Sequence, residues 1–400
     1  MTERLYYTDP YLRTFEASVT RIFEHEGRPA VALDRTAFYP TSGGQPFDTG
    51  RLGTARLVDV VDLGDEIAHV LTAAPALTPG ARVTGEIDWP RRFDHMQQHT
   101  GQHVLSAAFV RLFDNPTVSF HMGAGTSTID LVREASSGDI ERAIDDANRI
   151  VWEDRAVTIR FASPQEAASL PLRKEPVREG PLRLIDVADF DLSACGGTHV
   201  AKTGATGLIA GLGSERFRGG SRVAFVCGSR ALASLRTYRD AVTGSVRTLS
   251  VLPGELAAAV ERMQREAREL RRTIKVMQES LAAHEAARLL AAASPVGGVR
   301  LVVDALDGWD AAGLKAVAVA MTAAGRAAVV LVTATSPLSV VVARSHDVAV
   351  DANATLRELV GRFGGRGGGK PDLAQGGGLT ASPRDVTSAA RILLETSIQS

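Results

Sequence analysis

Residues 94–113 read DHMQQHTGQHVLSAAFVRLF. Their apolar positions recur at helical spacing, which predicts an α-helix with Asp94 as its N-cap. On such a helix His99 and His103 share one face a turn apart, with His95 one turn earlier. Far downstream, residues 195–199 read CGGTH. The two glycines disfavour a regular helix, so a bent loop can turn Cys195 and His199 toward one point. Three imidazoles and one thiolate are the donors a tetrahedral Zn²⁺ prefers. The expected fold is therefore organised around one zinc ion per chain, held by His99, His103, Cys195 and His199. Four protein ligands lean toward a closed structural site, while their spread over distant segments suits the floor of a pocket. Residue types alone leave that choice open.

The chain of 400 residues is too long for one ordinary core and suggests several domains. Hydrophobic content of 44% and charged content of 23% are those of a globular protein. A net charge of −1 means any polyanionic partner must be met by local basic clusters. Two cysteines exclude a disulfide scaffold and fit a reducing compartment. Cys227, inside the apolar run VAFVCG, reads as a buried inert thiol. The charged N-terminus has no signal-peptide run and no stretch reads as a membrane span, so a cytoplasmic location is expected.

Outward from the two words, the fold class reads as α+β multidomain. Residues 1–90 alternate apolar and polar in short runs such as FEASVTRIF and ARVTGEIDW, predicting an antiparallel β-barrel. Its loop FYPTSGGQP (38–46) carries Gly43 and Gly44, which permit unusual backbone angles. Residues 91–228 mix helices and strands around both words, an α+β zinc domain. Residues 229–297 read as an antiparallel helical hairpin. In it Leu256, Val260, Met263, Ala267, Leu270, Ile274, Met277 and Leu281 form a heptad seam. Residues 298–400 read β-α-β-β-α, an α/β module with the glycine-dense loop GGRGGGKPDLAQGGG (364–378).

HTGQH, CGGTH and the SGGQ loop within TAFYPTSGGQPFDTG (36–50) resemble the editing domain of alanyl-tRNA synthetase and its freestanding alanyl-tRNA editing relatives. DLSACGGTHV and ERFRGGSRVAFVCGSRAL extend that resemblance. The loop at 364–378 is similar to the DHH-associated C-terminal synthetase module that contacts tRNA. The resemblance covers nearly the whole chain and selects His99 and His103 over His95. Upstream of the first β-domain the sequence has no counterpart of the aminoacylation domain, so the expectation is a trans-editing protein, not a synthetase.

The implied reaction is hydrolysis of the aminoacyl ester of tRNA for alanine wrongly carrying serine, with glycine the other option. A hydrophobic pocket rejects an added hydroxyl only by about a hundredfold, whereas a site that hydrogen-bonds the serine hydroxyl can discriminate by roughly 10⁴ or more. Polar residues of the motif regions are the candidates for such a sieve. Gln45, able to donate and accept, is expected beside the ester as the catalytic residue. Thr41, Ser42, Gly43, Gly44 and Thr100 are candidates for binding substrate, and Thr36 for the sieve. For tRNA, Arg216, Arg218 and Arg222 form one basic cluster, and Arg362, Arg366 and Lys370 another. Pro371 after Lys370 breaks the P-loop register, so a nucleotide-phosphate loop is not expected there. The competing readings are a zinc-stabilised tRNA-binding protein without hydrolysis, and a metallohydrolase of small esters or peptides. The latter lacks HExxH. A homodimer through the helical arm or the C-terminal module is compatible with the seam.

Overall fold

A computed structural model describes residues 1–74, 77–173 and 181–399. It divides into two compact units, Met1–Gly244 and Ser245–Ser400. The result is a mixed α+β, multidomain chain. Among the described residues no helix is long and apolar enough to cross a membrane.

The first unit opens with the expected antiparallel barrel. Strands β1 (Thr14–His25), β2 (Arg28–Leu33), β3 (Gly50–Leu52), β4 (Ala55–Asp62), β5 (Ile67–Leu71) and β6 (Arg82–Ile87) close in the order β1-β2-β5-β4-β3-β6. Alternation points Phe15, Ala17 and Val19 of β1 inward onto Val31, Leu33, Leu57, Leu71 and Val83. His69 also lies inside the barrel, between Thr36 Oγ1 at 2.8 Å and the Val31 carbonyl at 2.9 Å. Thr36 is therefore committed to the barrel interior.

Helix α1 (Trp89–Phe113) begins earlier than its apolar period suggests. Its N-cap is Asp88, which accepts from the Arg91 N–H, and Pro90 occupies the first turn, where a missing N–H costs nothing. Asp94 instead lies inside the helix and pairs with Arg230 at 2.7 Å. The helix is buried on most of its circumference from Met96 to Phe109, because a barrel, a sheet and a loop all pack around it. Arg92, fully buried, ties it to the barrel by donating to the Asp48 carboxylate and to the carbonyls of Pro10 and Ala37. After α1 come β7 (Thr117–Met122), β8 (Ser127–Leu131), α2 (Ser137–Trp152), β9 (Val157–Ala162), β10 (Leu182–Val187), β11 (Asp191–Ala194), β12 (Ile209–Phe217) and β13 (Gly220–Cys227). The four-stranded sheet β12-β13-β8-β7 packs its inner face on α1 and α2 through Ile129, Val223, Phe225, Phe109 and Ile144. The three-stranded sheet β9-β10-β11 delivers the chain into the CGGTH loop.

Helix α3 (Gly228–Leu249) runs across the boundary between the units, and α4 (Leu256–Ala292) opens the second. The heptad seam on α4 is exposed, from 42% at Val260 to 63% at Leu270. The second unit continues with β14 (Val299–Leu306), α5 (Ala311–Ala324), β15 (Ala327–Thr333), β16 (Leu338–Arg344), α6 (Ala352–Phe363), β17 (Arg366–Gly369), β18 (Leu373–Leu379) and α7 (Pro383–Gln399). β14 and β15 pair in parallel across α5, and the rest of the sheet is antiparallel in the order β15-β16-β18-β17. The run AAVVLVT of β15 is buried throughout because cores form on both sheet faces. The expected glycine-dense loop is in fact the hairpin β17–β18. Its glycines allow unusually close strands: a Cβ at Gly367 would lie 2.6 Å from the Gln375 carbonyl oxygen.

Candidate metal centre

α1 and the CGGTH loop bring His99, His103, Cys195 and His199 together, with one donor atom of each within 4.8 Å of the others. Cys195 Sγ lies 3.4 Å from His99 Nε2 and 3.3 Å from His199 Nε2. The loop approaches so closely that a Cβ on Gly197 would stand 2.1 Å from His99 Cε1, so glycine is required there. The Gly197 N–H in turn donates to Cys195 Sγ at 3.3 Å, which favours a thiolate.

The opposite ring nitrogens are all engaged. His99 Nδ1 meets Gln45 Oε1 at 2.9 Å, His103 Nδ1 meets Asp191 Oδ2 at 3.1 Å, and His199 Nδ1 meets Thr100 Oγ1 at 3.2 Å. The first of these fixes a tautomer. Gln45 Oε1 also accepts the Thr198 backbone N–H, which can only donate, so that atom is the amide oxygen. His99 Nδ1 must then carry the proton, leaving the Nε2 lone pair for a metal. Burial opposes ionisation of Asp191, but the bond from His103 and the charge of Arg173 outweigh it and hold the carboxyl at about 2. His103 is raised in return, its own burial being overcome by Asp191 and Cys195. Three Nε2 atoms whose rings are oriented by their Nδ1 partners, and a supported thiolate, fit a tetrahedral Zn²⁺ with its usual outer partners.

Gln45 is fully buried with both amide atoms engaged, since Nε2 donates to Thr198 Oγ1 at 2.8 Å. Thr100 is equally buried and accepts the Val200 N–H at 3.1 Å while holding His199. Thr41, Ser42 and Gly43 are exposed at the tip of the glycine loop, where Gly43 and Gly44 take φ of +57° and +84°. Gly44 is clamped to β7: its carbonyl accepts the Met122 N–H, and a Cβ there would meet the Phe120 oxygen at 2.6 Å. The Phe120 ring in turn lies 5.4 Å from that of His99. Cys195 is partly exposed and Gly196 exposed, while the three histidines are buried.

Of the basic clusters, Arg216 is exposed and pairs with Glu134, and Arg218 sits exposed in the β12–β13 turn. Arg222 is occupied: it binds both oxygens of Asp130 and stacks 3.6 Å from the Phe217 centroid. Arg362, Arg366 and Lys370 are exposed in the second unit, and none forms an ion pair among the described residues. Cys227 is buried, its thiol pushed up by desolvation. His95 is buried with an unpartnered Nδ1, outside the quartet. The sequence reading missed Asp191, Thr198 and Arg183. The Arg183 guanidinium donates to the carbonyls of Tyr7 and Cys195, holding the Cys195 backbone. Only Asp191 left a local signal, a carboxylate four residues before the cysteine.

A closed barrel, a His/Cys quartet able to hold a metal ion and a C-terminal module with a glycine hairpin describe a multidomain α+β protein. Residues 298–395 of that module match the DHHA1 domain family. Over 413 aligned residues the chain is 30% identical to the alanyl-tRNA editing protein AlaX-L of Pyrococcus horikoshii, covering 100% of each. The chain belongs to this alanyl-tRNA editing family. It is also 33% identical to an alanine–tRNA ligase of Pyrococcus abyssi and 36% identical to that of Methanoculleus marisnigri, spanning 94% and 95% of this chain but 42% of each ligase. Among solved structures the C-Ala domain of Aquifex aeolicus alanyl-tRNA synthetase matches 27% of this chain at 24% identity and a TM-score of 0.24.

Proposed function

We propose that the chain is a trans-editing hydrolase. It cleaves the aminoacyl ester of tRNA for alanine that carries serine, and glycine as a second substrate, releasing the amino acid and the free tRNA 3′ end. Family membership supports the reaction class. The observation that carries the site is the quartet of His99, His103, Cys195 and His199, whose donor atoms lie within 4.8 Å of one another. The divisions 1–90, 91–228, 229–297 and 298–400 are proposed as barrel, editing domain, helical arm and tRNA-binding module.

His99, His103, Cys195 and His199 would hold one zinc ion. A bound zinc supplies a positive centre that can polarise or orient the ester end of the substrate. The chain's own residues do the rest. Gln45 and Asp191 orient His99 and His103, and Thr100 orients His199, which makes Gln45 and Thr100 positioning residues. Thr41, Ser42 and the backbone of Gly43 and Gly44 line the approach and are proposed to contact the aminoacyl group. A polar partner for the serine hydroxyl explains rejection of alanine, which would leave that partner desolvated and unpaired. Arg216, Arg218, Arg362, Arg366 and Lys370 are proposed to meet tRNA phosphates, with Arg222 bracing its hairpin through Asp130. The exposed α4 seam supports a helical arm that either spaces the modules or pairs with a second copy.

The test is deacylation of Ser-, Gly- and Ala-charged tRNA for alanine at enzyme excess. Loss of serine with Ala-tRNA spared is expected. Intact Ser-tRNA would overturn the enzyme reading in favour of a binding protein, and equal hydrolysis of Ala-tRNA would overturn proofreading.

A further inference from the structure

Where the barrel meets the start of α1, aromatic and cationic side chains gather that neither the metal centre nor the basic clusters use. The Arg13 guanidinium lies 4.2 Å from the Trp89 ring centroid, and Tyr11 and Phe93 flank Trp89 at 5.6 and 5.7 Å. Beside them Arg91 donates from Nε to the Phe47 carbonyl at 3.0 Å and stands 5.4 Å from the Phe47 ring. Arg13 is exposed and the other five are partly exposed. Neither arginine forms an ion pair among the described residues. The acidic neighbour on this turn, Asp88, has its oxygens on Thr49 and the Arg91 N–H.

Five of the six members are tied to segments that build the candidate centre, and Arg13 joins them through its contact with Trp89. The Tyr11 hydroxyl accepts the Ala201 N–H at 3.0 Å, two residues beyond the ligand His199. Phe47 follows Gln45 by two residues, and Trp89, Arg91 and Phe93 stand on the helix of His99 and His103. A packing cluster would bury its rings and pair its cations. Here the Arg13 guanidinium lies over the partly exposed Trp89 ring, and neither arginine has an ion-pair partner among the described residues.

We propose that this surface is a stacking platform for single-stranded RNA, the unpaired 3′ tail of the tRNA substrate. The assignment rests on the editing function proposed above. Bases of an unpaired strand stack on aromatic rings and on guanidinium planes, while the same arginines take the phosphates. A duplex offers no free base faces for this. His99 lies ten residues beyond Trp89, about 15 Å along α1. The base on Trp89 is therefore upstream of the terminal adenosine, whose ester reaches the metal centre.

The experiment uses the full zinc-loaded chain with Trp152→Phe and Trp309→Phe, which leaves Trp89 as sole tryptophan reporter. The probe is a short single-stranded RNA ending in CCA, and the competitor a blunt RNA duplex. Quenching of Trp89 emission on saturation is expected. Read for every variant by the anisotropy of a fluorescein-labelled form of the same RNA, Trp89→Ala weakens binding by roughly 5- to 100-fold. Trp89→Phe restores most of the affinity, and Arg13→Glu, on an exposed side chain, weakens binding with unchanged zinc content. Unchanged affinity in both Trp89→Ala and Arg13→Glu overturns the platform, as does equal competition by the duplex, which marks a general polyanion patch. Hydrolysis of Ser-tRNA by the unmodified chain is scored separately. If it proceeds without these RNA signatures, only the platform falls. If the signatures are present without hydrolysis, the platform stands and the editing reading falls.

Discussion

Replacing Gln45 with alanine separates the two roles that its residue type allows. The amide accepts from His99 Nδ1–H and the Thr198 N–H and donates to Thr198 Oγ1, in a site with no solvent exposure. Alanine keeps none of these bonds. Two buried donors lose their acceptor, each at about 1–3 kcal/mol. A water entering the vacated volume recovers part of this, so the expected loss is about 2–4 kcal/mol of unfolding free energy. His99 also loses the contact that fixes its tautomer. Loss of such an outer partner costs roughly 10- to 100-fold in metal affinity.

Both quantities are measurable without substrate, the first by urea unfolding with and without zinc and the second by competition with a chromophoric chelator. Gln45→Glu supplies the control. Its carboxylate accepts from His99 and from the Thr198 N–H, and the Thr198 hydroxyl can turn to donate, so zinc affinity is expected to stay near that of the unaltered chain. A glutamine acting on the ester behaves oppositely: alanine would leave zinc affinity and unfolding untouched and lower kcat alone. That outcome would falsify the positioning role.

Three further substitutions probe the frame around the centre. His69, depressed to about 4 by burial in the barrel, stays neutral in the folded chain while the unfolded chain protonates near 6.5. Its contribution is complete above pH 6.5 and declines by about 1.4 kcal/mol per unit as pH falls toward 4, roughly 3 kcal/mol in all. His69→Asn should remove that part of the slope in urea midpoints taken from pH 7 downward. Asp48→Ala strands the fully buried Arg92 and should cost about 3–5 kcal/mol, whereas Asp48→Leu with Arg92→Met should recover only part of it, because the Tyr39 N–H and the Pro10 and Ala37 carbonyls lose their partners; a single variant as stable as the parent would refute the pairing argument. A Cβ at Gly101 would stand 2.3 Å from Cys227 Sγ, so Gly101→Ala should destabilise through overpacking of about 1–3 kcal/mol despite alanine's better helix propensity. In a Cys227→Ala background the same change should turn stabilising, and thermal midpoints of the four variants read that reversal of sign.

What the chain disclosed in advance depended on how far apart the deciding residues stand. His99 with His103 and Cys195 with His199 are pairs within one turn or one loop, and local geometry makes their spacing informative. The alternation of β1 and the apolar run of β15 are equally local, since each reports the faces its own strand buries. Gln45 is different. Its amide announces only that it can donate and accept, and its partners His99 and Thr198 lie 54 and 153 positions away. Arg222 read as a free cation because Asp130, which consumes its charge, is 92 positions distant. Even the start of α1 turned on a nearby choice between acids, for Asp88 before Trp-Pro caps the helix while Asp94, beyond the first turn, serves Arg230. The glycines of 364–378 look like a loop until two paired strands are seen to leave no room for a Cβ at Gly365, Gly367 or Gly369. The candidate ligands are thus legible in short words, whereas the proposed division of polar residues into those that hold the centre and those left for substrate emerges only when the chain folds. On the proposed reading that division makes Gln45 and Thr100 supports, with the exposed loop tip and the Trp89 surface the proposed places for an RNA end to arrive.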